Sequence, residues 1–526
     1  MNLFRLSAAA LALSSALFAQ SNLDDLAARA LKEFNVPGIA VGVIQDGRVL
    51  VSKGYGVRKI GENAPVTEHT LFQIASNTKA FTAASLAILI DEKKLSWDDR
   101  VIDVLPSFQM SDAYVSREMR IRDLLCHRSG LALGAGDLMV FPDSTLSAPV
   151  FMQHLRFVPL AASFRSRYAY DNVLYTVAGQ VIEKVSGMSW HDFIQQKIFA
   201  PLGMTESRPR PEDVQPQDEV AAPHAPNGDE PAVLSEAKTL IDQLQVVSPA
   251  HLGSGAPAGA INSSVHDLLK WVATQLHEGE YPGGRLFSAE QSQQMWTPHI
   301  FIPTGKSSLL HPIFNAYGLG WVLTEYHGHR LVYHTGGLAG MVTRVTLVPD
   351  SKLGIVVLTN QESGEAFNSL TYSLLDRYLN VAPTDWIAAY SALAKTQQNE
   401  AKKVVAQAAA ARNARSKPSL APEKYAGRYR DAWYGDILIT QQAGKLAIEF
   451  THSPKLVGTL EHFQYDTFIV RWNDRTLNAD AYVTFTLNPN ASIREVKMAA
   501  VSPATDFSFD FHDLDLKPAP PGTAPF

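Results

Sequence analysis

The sequence predicts an α/β protein in which one antiparallel sheet is flanked by helices, with a helical insert, and a small all-β domain follows. Strand-like segments occur near the start of the chain and return only after Gly318, with a mainly helical region between them. A second series of short alternating segments follows residue 430, a spacing typical of an antiparallel barrel or half-barrel. At 526 residues the chain is also longer than one hydrophobic core usually organises, which favours at least two domains.

The first twenty residues have the pattern of a secretory signal. Arg5 precedes the apolar stretch 6–18, and Ala19 is a small residue suited to cleavage. We therefore expect residues 1–19 to be removed and the mature protein to be periplasmic or secreted. No later segment reaches the roughly 18 to 20 apolar residues of a membrane span. The net charge of −6, with no long basic run, argues against nucleic acid as the main partner.

The first domain is expected to span residues 20–382, and local patterns predict its elements. Apolar residues recur at helical spacing over 23–34, and Asp46-Gly47 joins two strand-like segments as a hairpin. Later strands are expected at 318–323, 330–333, 342–348 and 354–359, before a closing helix over 370–379. The single cysteine, Cys126, cannot form an internal disulfide, so the core must be stable without one.

A serine and a lysine stand one helical turn apart where an extended segment meets a long apolar one. Residues 80–90 are apolar almost all round, which predicts a buried helix that begins near Ser76. Because positions i and i+3 share a helix face, the Lys79 ammonium would lie close to the Ser76 hydroxyl. A serine hydroxyl is a weak nucleophile until a neighbour takes its proton, so this spacing indicates nucleophilic catalysis. A helix-capping serine beside an exposed lysine is the structural alternative.

A second polar cluster, Tyr170 and Asn172, stands just before an apolar helix at 173–185. A tyrosine can act as a general base only if its pKa falls from about 10, and the Lys79 cation would lower it by favouring the phenolate. Asparagine both donates and accepts hydrogen bonds, so Asn172 could hold a substrate amide and the lysine together. A packed ring and a helix cap are the alternative interpretation.

The third cluster is His334-Thr335-Gly336-Gly337, just before a strand-like segment. Glycines let the backbone approach a bound group closely. The N–H of Gly337, paired with that of Ser76, would form an oxyanion hole for the tetrahedral intermediate of acyl transfer. A glycine bend between two strands is the alternative.

In this order, Ser76-x-x-Lys79, Tyr170-x-Asn172 and His334-Thr335-Gly336 resemble the motif set of penicillin-recognising serine enzymes. Residues from about 25 to 380 resemble the class C β-lactamase-like serine hydrolases, a group of β-lactamases, D-alanyl-D-alanine peptidases, D-aminopeptidases and esterases. Supporting stretches occur at 121–131, 201–204, 257–264 and 317–321. The resemblance implies the β-lactamase/transpeptidase-like fold and a reaction without metal or cofactor.

The resemblance also assigns roles. It implies Ser76 as the acylated nucleophile, with Lys79 and Tyr170 sharing the proton transfer. Its substrate contacts would come from Asn172 and from the segment His334-Thr335-Gly336. His334 stands where the family usually has lysine, and histidine is mostly neutral near pH 7, so a substrate carboxylate would be held less strongly. We expect this imidazole to face the substrate and to titrate near 6.5. A ring that only packs at the strand end, bonded to backbone, is the alternative.

The resemblance favours an exported serine hydrolase that works through an acyl-enzyme on a small molecule or short peptide. The expected substrate contains a D-amino acid or is a peptidoglycan fragment. A carboxylesterase and a β-lactamase are alternatives within the family, and a non-catalytic penicillin-binding sensor is the alternative outside it. The sequence does not determine the oligomeric state and is compatible with a homo-oligomer.

A helix and linker are expected over 383–422, followed by a lipocalin-like β domain over 423–516. Its strands are predicted at 436–441, 445–450, 467–472, 482–487 and 493–500, and Phe507, Phe509 and Phe511 alternate in the last one. A filled core with a lid or assembly role is favoured over a ligand-binding barrel. The Pro-rich end, 517–526, is expected to be disordered.

Overall fold

The computed structural model describes residues 23–227, 244–305, 309–442 and 444–520. The predicted signal peptide, residues 1–19, lies outside the described residues. Within those ranges no helix has the length and apolar character needed to cross a membrane.

The first part of the chain forms one antiparallel sheet together with short strand pairs. Its strands are β1 (Gly38–Gln45), β2 (Arg48–Gly56), β3 (Phe72–Gln73), β4 (His224–Pro226), β5 (Leu244–Val246), β6 (Asn262–Ser263), β7 (Glu280–Tyr281), β8 (Gly284–Arg285), β9 (Ile300–Phe301), β10 (Asn315–Tyr317), β11 (Val322–Tyr326), β12 (His329–Leu338), β13 (Met341–Val348) and β14 (Leu353–Thr359). In the described residues the sheet has the order β2-β1-β14-β13-β12-β11-β10-β9. Strands from both ends of the domain therefore meet at β1 and β14, as predicted, with Val41 opposite Val357.

Helices lie on both faces of this sheet. They are α1 (23–33), α2 (Thr78–Asp91), α3 (Val101–Val104), α4 (Ala113–Glu118), α5 (Ala148–His154), α6 (Val173–Ser186), α7 (Trp190–Ile194), α8 (Ala200–Leu202), α9 (Ala256–Gly259), α10 (Val265–Leu276), α11 (Ala289–Met295), α12 (Gly364–Tyr378) and α13 (Trp386–Ala411). The predicted helical insert between the early and late strands is confirmed.

Both faces of the central strands are buried, because their apolar side chains alternate between two cores. Val41 belongs to the core formed with α1, α12 and α13, while Ala40 and Leu358 belong to the core formed with α2 and α10. This explains why β14 reads as a continuous apolar run, with every residue buried. Helix α2 is also buried almost all round, because it lies inside the core formed with α10. Lys79 is among its buried residues.

The C-terminal strands form a second antiparallel sheet that is nearly closed into a barrel. They are β15 (Gly427–Asp431), β16 (Gly435–Gln442), β17 (Lys445–Phe450), β18 (Val457–Gln464), β19 (Thr467–Trp472), β20 (Ala481–Leu487), β21 (Ile493–Ala500) and β22 (Lys517–Pro518). β22 pairs with β15, and the N–H of Val496 in β21 donates to the carbonyl of Leu516. The edge strands β15 and β21 are thus brought together by one short segment. The predicted fold class, an α/β domain followed by an all-β barrel, is confirmed.

Two C-terminal predictions need correction. The expected disordered end begins with Lys517 and Pro518, but these two residues pair with β15; residues 521–526 lie outside the described part of the chain. The alternating phenylalanines, Phe507 to Phe511, do not form a strand. This segment instead leaves the barrel and packs on the first domain, where the Asp510 carboxylate accepts hydrogen bonds from two backbone N–H groups, at Gly136 and Leu138. Phe507 and Phe509 contact rings of the first domain, whereas Phe511 packs in the barrel on Phe450 and Trp472, so the period-2 pattern does not reflect a sheet.

Candidate active site

Ser76 lies in a single 3₁₀ turn, Ala75–Asn77, between β3 and α2. The turn is tied to the central sheet through Thr343 on β13. Its hydroxyl donates to the Ile74 carbonyl (2.9 Å) and accepts from the Asn77 side-chain amide (2.9 Å). Because the residues on either side of Ser76 are held by the same hydroxyl, the serine has a fixed position at the N-terminal end of a buried helix.

Gly336 brings β12 directly against this turn. A Cβ atom at that position would lie 2.2 Å from the Ile74 carbonyl oxygen and 2.6 Å from the Thr343 hydroxyl, closer than atoms can pack. The glycine is therefore required by close approach of two backbones. The next residue, Gly337, and Thr335 line the same cavity as Ser76. The oxyanion hole of Ser76 and Gly337 N–H groups stays a prediction that this arrangement is compatible with.

Lys79 connects Ser76 to two other segments. Its Nζ donates to Ser76 Oγ (3.0 Å), to Asn172 Oδ1 (2.7 Å) and to the carbonyl of Ala258 (3.0 Å). The predicted one-turn spacing thus gives a direct serine–lysine hydrogen bond, and the alternative of an exposed lysine is wrong because Lys79 is fully buried.

The environment of Lys79 makes it able to accept a proton near neutral pH. Burial lowers the pKa of Lys79 to about 7, because a desolvated ammonium is disfavoured, while the nearby carboxyls of Asp137 and Asp171 act in the opposite direction. A group whose pKa is near the working pH is the most effective general base.

Tyr170 differs from the sequence-based expectation. The Lys79 Nζ lies 4.9 Å from the centroid of the Tyr170 ring. Desolvation nevertheless holds the pKa of Tyr170 well above its usual value of 10, and the hydrogen bond with Ser76 only partly opposes this. The expected phenolate is therefore wrong. Of this pair, Lys79 is the group able to accept a proton near neutral pH, and Tyr170 is a neutral phenol that can donate one.

A chain of hydrogen bonds runs from the barrel domain to this lysine. Ser508 Oγ donates to Asp137 Oδ2 (2.9 Å), and the Asn172 side-chain amide donates to the same oxygen (2.8 Å). Asn172 in turn accepts from Lys79, so four residues link the two domains to the nucleophile. Burial raises the pKa of Asp137 to about 7, with the Asn172 and Ser508 hydrogen bonds lowering it.

Asp171 is a second buried carboxyl beside the lysine. It accepts from the Ser129 hydroxyl at 3.3 Å, while its Oδ1 has no hydrogen-bond partner among the described residues. Burial raises the pKa of Asp171 to about 7. The neighbouring His127 ring is buried at a centroid distance of 4.2 Å from Tyr170, and burial holds its pKa well below 6.5. Lys79 therefore lies near two buried carboxyls, Asp137 and Asp171, whose negative charges raise its pKa.

The structure corrects the expectation for His334. Both ring nitrogens are engaged within the protein: Nδ1 with the Thr335 carbonyl (2.6 Å) and Nε2 with the Tyr317 hydroxyl (2.7 Å). Since a carbonyl only accepts, Nδ1 carries the proton and Nε2 accepts from the phenol. Burial, reinforced by Lys79, lowers the pKa of His334 to about 3. The imidazole lines the cavity, but as a neutral ring and not as a cation that titrates near 6.5.

Ser76 opens into a cavity of about 610 Å³ whose walls come from both domains. Apolar side chains dominate the wall, and the barrel domain contributes the segment Asp506 to Phe509. The Phe507 ring meets Tyr170 edge-on, with centroids 5.8 Å apart, and a Cβ at Gly134 would lie 2.5 Å from the Phe507 carbonyl. Phe509 packs on Phe141 in the same way. The C-terminal domain therefore forms part of the active-site wall.

Known protein families match both parts of this chain. The β-lactamase family matches residues 23–378, more than half of the chain, and a domain of unknown function (DUF3471) matches residues 411–518. The chain belongs to the β-lactamase family. The resemblance to class C β-lactamase-like serine hydrolases is thereby confirmed, and the protein is a serine hydrolase of the β-lactamase and penicillin-binding protein type.

Individual members of the family cover most of the chain. The unguisins hydrolase ungD′ of Aspergillus campestris is 31% identical over 427 residues, 78% of this chain and 75% of that protein. The octameric penicillin-binding protein homologue from Pyrococcus abyssi superimposes with a TM-score of 0.59 at 23% identity, covering 91% of this chain and 98% of that one. The D-amino acid amidase from Ochrobactrum anthropi SV3, complexed with L-phenylalanine, gives 0.55 at 22% identity, covering 68% and 99%. At these identities the two structures show a shared fold.

Sequence reasoning on this β-lactamase family member missed several site residues. Asp171 lies between Tyr170 and Asn172, so the motif itself could have drawn attention to it. Asp137 and Ser508 have no local signal, because their importance comes only from contacts between distant segments. The same is true of Ala258, which contributes a backbone carbonyl.

Proposed function

We propose that this protein is an exported amidase that acts through an acyl-enzyme on Ser76 and cleaves D-amino acid amides or short peptides with a free amino group. The observation that carries this proposal is the charge of the cavity. Its lining includes the carboxyls of Glu362 and Asp506, and among the described lining residues none is lysine or arginine. An acidic wall suits a substrate ammonium, whereas a cavity for a substrate carboxylate needs a cation.

The acylation step follows from the pKa order of the site. Neutral Lys79 takes the proton from Ser76 Oγ as the oxygen forms a bond to the substrate carbonyl carbon. The proton then passes through Tyr170 to the amide nitrogen, the carbon–nitrogen bond breaks, and the amine leaves. Water repeats the sequence on the acyl-enzyme, with Lys79 again as the base, and releases the acid. No step requires a phenolate.

Glu362 is the best placed group to recognise the amine. One of its oxygens accepts from the Gly340 N–H at 2.7 Å, and the side chain is accessible to solvent. Although one face of the side chain is open to the cavity, the protein around the carboxyl restricts its hydration and raises the pKa of Glu362 to about 7, with a smaller contribution from the negative charge of Asp506. A substrate ammonium would favour the ionised carboxylate, so binding of the amine should strengthen as pH rises through 7.

The remaining parts of the proposal rest on different support. The D configuration is taken from the D-amino acid amidase that shares this fold, and the related unguisins hydrolase supports hydrolysis as the reaction. Short peptides are included because they contain the same amide bond. Export rests on the signal pattern of residues 1–19. Octameric assembly of the Pyrococcus abyssi homologue makes a homo-oligomer a further expectation.

The test is a panel of p-nitroanilides of D- and L-phenylalanine and D-alanine, each with a free and an N-acetylated amine. Nitrocefin and a p-nitrophenyl ester complete the panel. Glu362→Gln removes the charge at the cavity, and Glu365→Gln, near the start of the next helix, is the matched control. We expect the free D-amine substrates to have the highest kcat/KM, and Glu362→Gln to raise their KM at least tenfold without affecting the ester.

Three outcomes would overturn parts of the proposal. Equal turnover of acetylated and free amines would remove the role of the acidic wall. A preference for carboxylated substrates or nitrocefin would instead favour a carboxypeptidase or β-lactamase. A covalent adduct on Ser76 without turnover of any substrate would support the non-catalytic sensor.

A further inference from the structure

A cluster of metal-ligating side chains lies outside the active site. His69, Glu206 and His266 come from three separate segments, and within the described parts of the chain their ligand atoms lie within 4.8 Å of one another. His69 precedes β3, Glu206 follows α8, and His266 is in the first turn of α10. Neither the serine chemistry nor the hydrolase proposal uses any of them.

The two imidazoles converge on one carboxylate oxygen. His69 Nδ1 lies 2.6 Å and His266 Nδ1 3.1 Å from Glu206 Oε1, and the two rings pack edge-on with centroids 4.9 Å apart. Ligand atoms of a tetrahedral zinc site, with Zn–N near 2.0–2.1 Å, lie about 3.3 Å apart. A cation between these atoms would therefore need only small side-chain rotations.

The surroundings already hold each ligand in place. The Ser264 hydroxyl donates to Glu206 Oε2 (2.5 Å), and the Glu206 N–H donates to buried Asp267 (2.9 Å). The His266 N–H donates to the carbonyl of Glu68, which joins two of the three segments. Supporting hydrogen bonds of this kind orient the ligands in metal sites.

Cation binding changes the tautomer of both rings. Without a cation each Nδ1 donates to the Glu206 carboxylate, and with one bound at Nδ1 each ring carries its proton on Nε2. His69 Nε2 lies 3.8 Å from a Glu68 carboxylate oxygen, which is too far for a hydrogen bond as it stands, and a rotation of the Glu68 side chain would bring the two atoms together. Two neutral imidazoles and one carboxylate, with water in the remaining positions, form a ligand set that suits zinc.

We propose that His69, Glu206 and His266 bind one divalent transition-metal cation, of which Zn²⁺ is the best match. Each imidazole then binds through the Nδ1 lone pair and carries its single proton on Nε2, so a neutral ring changes tautomer and releases no net proton. The cation links the segment before β3, the segment after α8 and the start of α10. The role is structural, since it joins three segments in a chain whose single cysteine cannot form an internal disulfide.

The test uses full-length, tag-free protein treated with a chelator and titrated with ZnCl₂ by calorimetry. His69→Gln and His266→Gln each remove one ligand from a partly exposed position. Two controls remove other histidines: His277→Gln, whose Nδ1 bonds the Ala273 carbonyl, and His251→Gln, which pairs with one carboxylate only. We expect one Zn²⁺ per chain in the wild type and both controls, and at least tenfold weaker binding in either ligand variant.

A second readout does not depend on variants that might alter folding. Co²⁺ bound by the wild type should give visible absorption bands of a four- or five-coordinate site, which Zn²⁺ abolishes at one equivalent. Zn²⁺ should also raise the Tm of the wild type and controls, but not of a variant that combines His69→Gln with His266→Gln. Absence of saturable binding in the wild type, or equal affinity in the ligand variants and controls, would overturn the proposal. Ester hydrolysis is measured on the zinc-free protein as well. Because this activity does not depend on zinc, the metal-site proposal and the hydrolase proposal can each fail without the other.

Discussion

Ser508 should influence the pKa of the catalytic lysine although it belongs to the other domain. Its hydroxyl donates to Asp137, which is bridged to Lys79 by the single amide group of Asn172. Ser508→Ala removes a hydrogen bond to the charged form of Asp137, so the variant should keep this carboxyl protonated to higher pH. Loss of the Asp137 charge then lowers the pKa of Lys79, because that charge raises it in the wild type.

The size of the effect can be worked from the geometry. A hydrogen bond to a charged group contributes about 1.5–3 kcal/mol, which corresponds to about one to two pKa units for Asp137. Two charges bridged by one amide lie within about 8 Å, where an effective dielectric of about 20 gives about 2 kcal/mol, or about 1.5 pKa units. Since the pKa of Asp137 is about 7, it is half ionised at that pH. The Lys79 pKa should therefore fall by about 0.7 unit.

The assay is the pH dependence of kcat/KM between pH 5 and 9 with a neutral p-nitrophenyl ester. Because this substrate has no ammonium group, its binding should not depend on the charge of Glu362. The acidic limb of this profile reports the base of the free enzyme. We expect it near pH 7 in the wild type and about 0.7 unit lower in Ser508→Ala. Ser502→Ala, in the same segment but outside the hydrogen-bond chain, is the control and should leave the limb unchanged.

Two results would refute this reasoning. A limb that moves to higher pH would mean that Asp137 is not the group through which Ser508 acts on Lys79. A uniform loss of kcat/KM at every pH, with the limb unmoved, would mean that Ser508 only holds the domains together.

Four further results are expected. Ser76→Ala should abolish turnover and labelling by a covalent serine probe while the protein stays folded; label found elsewhere would disprove the nucleophile. Lys79→Ala and Tyr170→Phe should each lower kcat by about 10²-fold or more, and the double variant should lose little more, because the two move one proton; multiplicative losses would show independent roles. Burial raises the pKa of Asp171 to about 7, so the folded state binds more protons than the unfolded state between pH 4 and 7, and this contribution to stability is lost as pH rises through that window. The Tm of Asp171→Asn relative to wild type should therefore be higher at pH 8 than at pH 5, and a difference of opposite sign would contradict the buried carboxyl. Wild type and His334→Gln should show the same pH dependence of KM between pH 5 and 7 for a carboxylated substrate, since His334 stays neutral; a difference centred near pH 6.5 would restore the cationic role.

The sequence was sufficient to predict the sheet and the local part of the site. The apolar alternation of β1 and β14 and the one-turn spacing of Ser76 and Lys79 are local properties, and both appear in the structure as expected. The limits of the domains stay predictions. What local patterns could predict is the placement of groups that lie close together along the chain.

Protonation states could not be predicted in the same way. A pKa depends on desolvation and on every charge nearby, and these are set by segments far apart in sequence. Tyr170 was expected to ionise beside Lys79, but burial outweighs the cation. His334 was expected to titrate near 6.5, but its two hydrogen bonds and its burial keep it neutral. Phe507 has the alternation of a strand, and only its contact with Gly134 shows that it belongs to the cavity.

The bond between Asp137 and Ser508 also has a consequence for the timing of activity in the cell. These two residues are 371 positions apart, so the whole α/β domain emerges before Ser508 does, whether from the ribosome or on the far side of a membrane during export. Domains generally fold as units during synthesis, with the N-terminal one first. The early folding product would contain Ser76 and Lys79 but lack one wall of the cavity and one partner of Asp137. Competence for hydrolysis should therefore arise only once the barrel has folded against the finished first domain, which delays acylation of Ser76 until the chain is nearly complete.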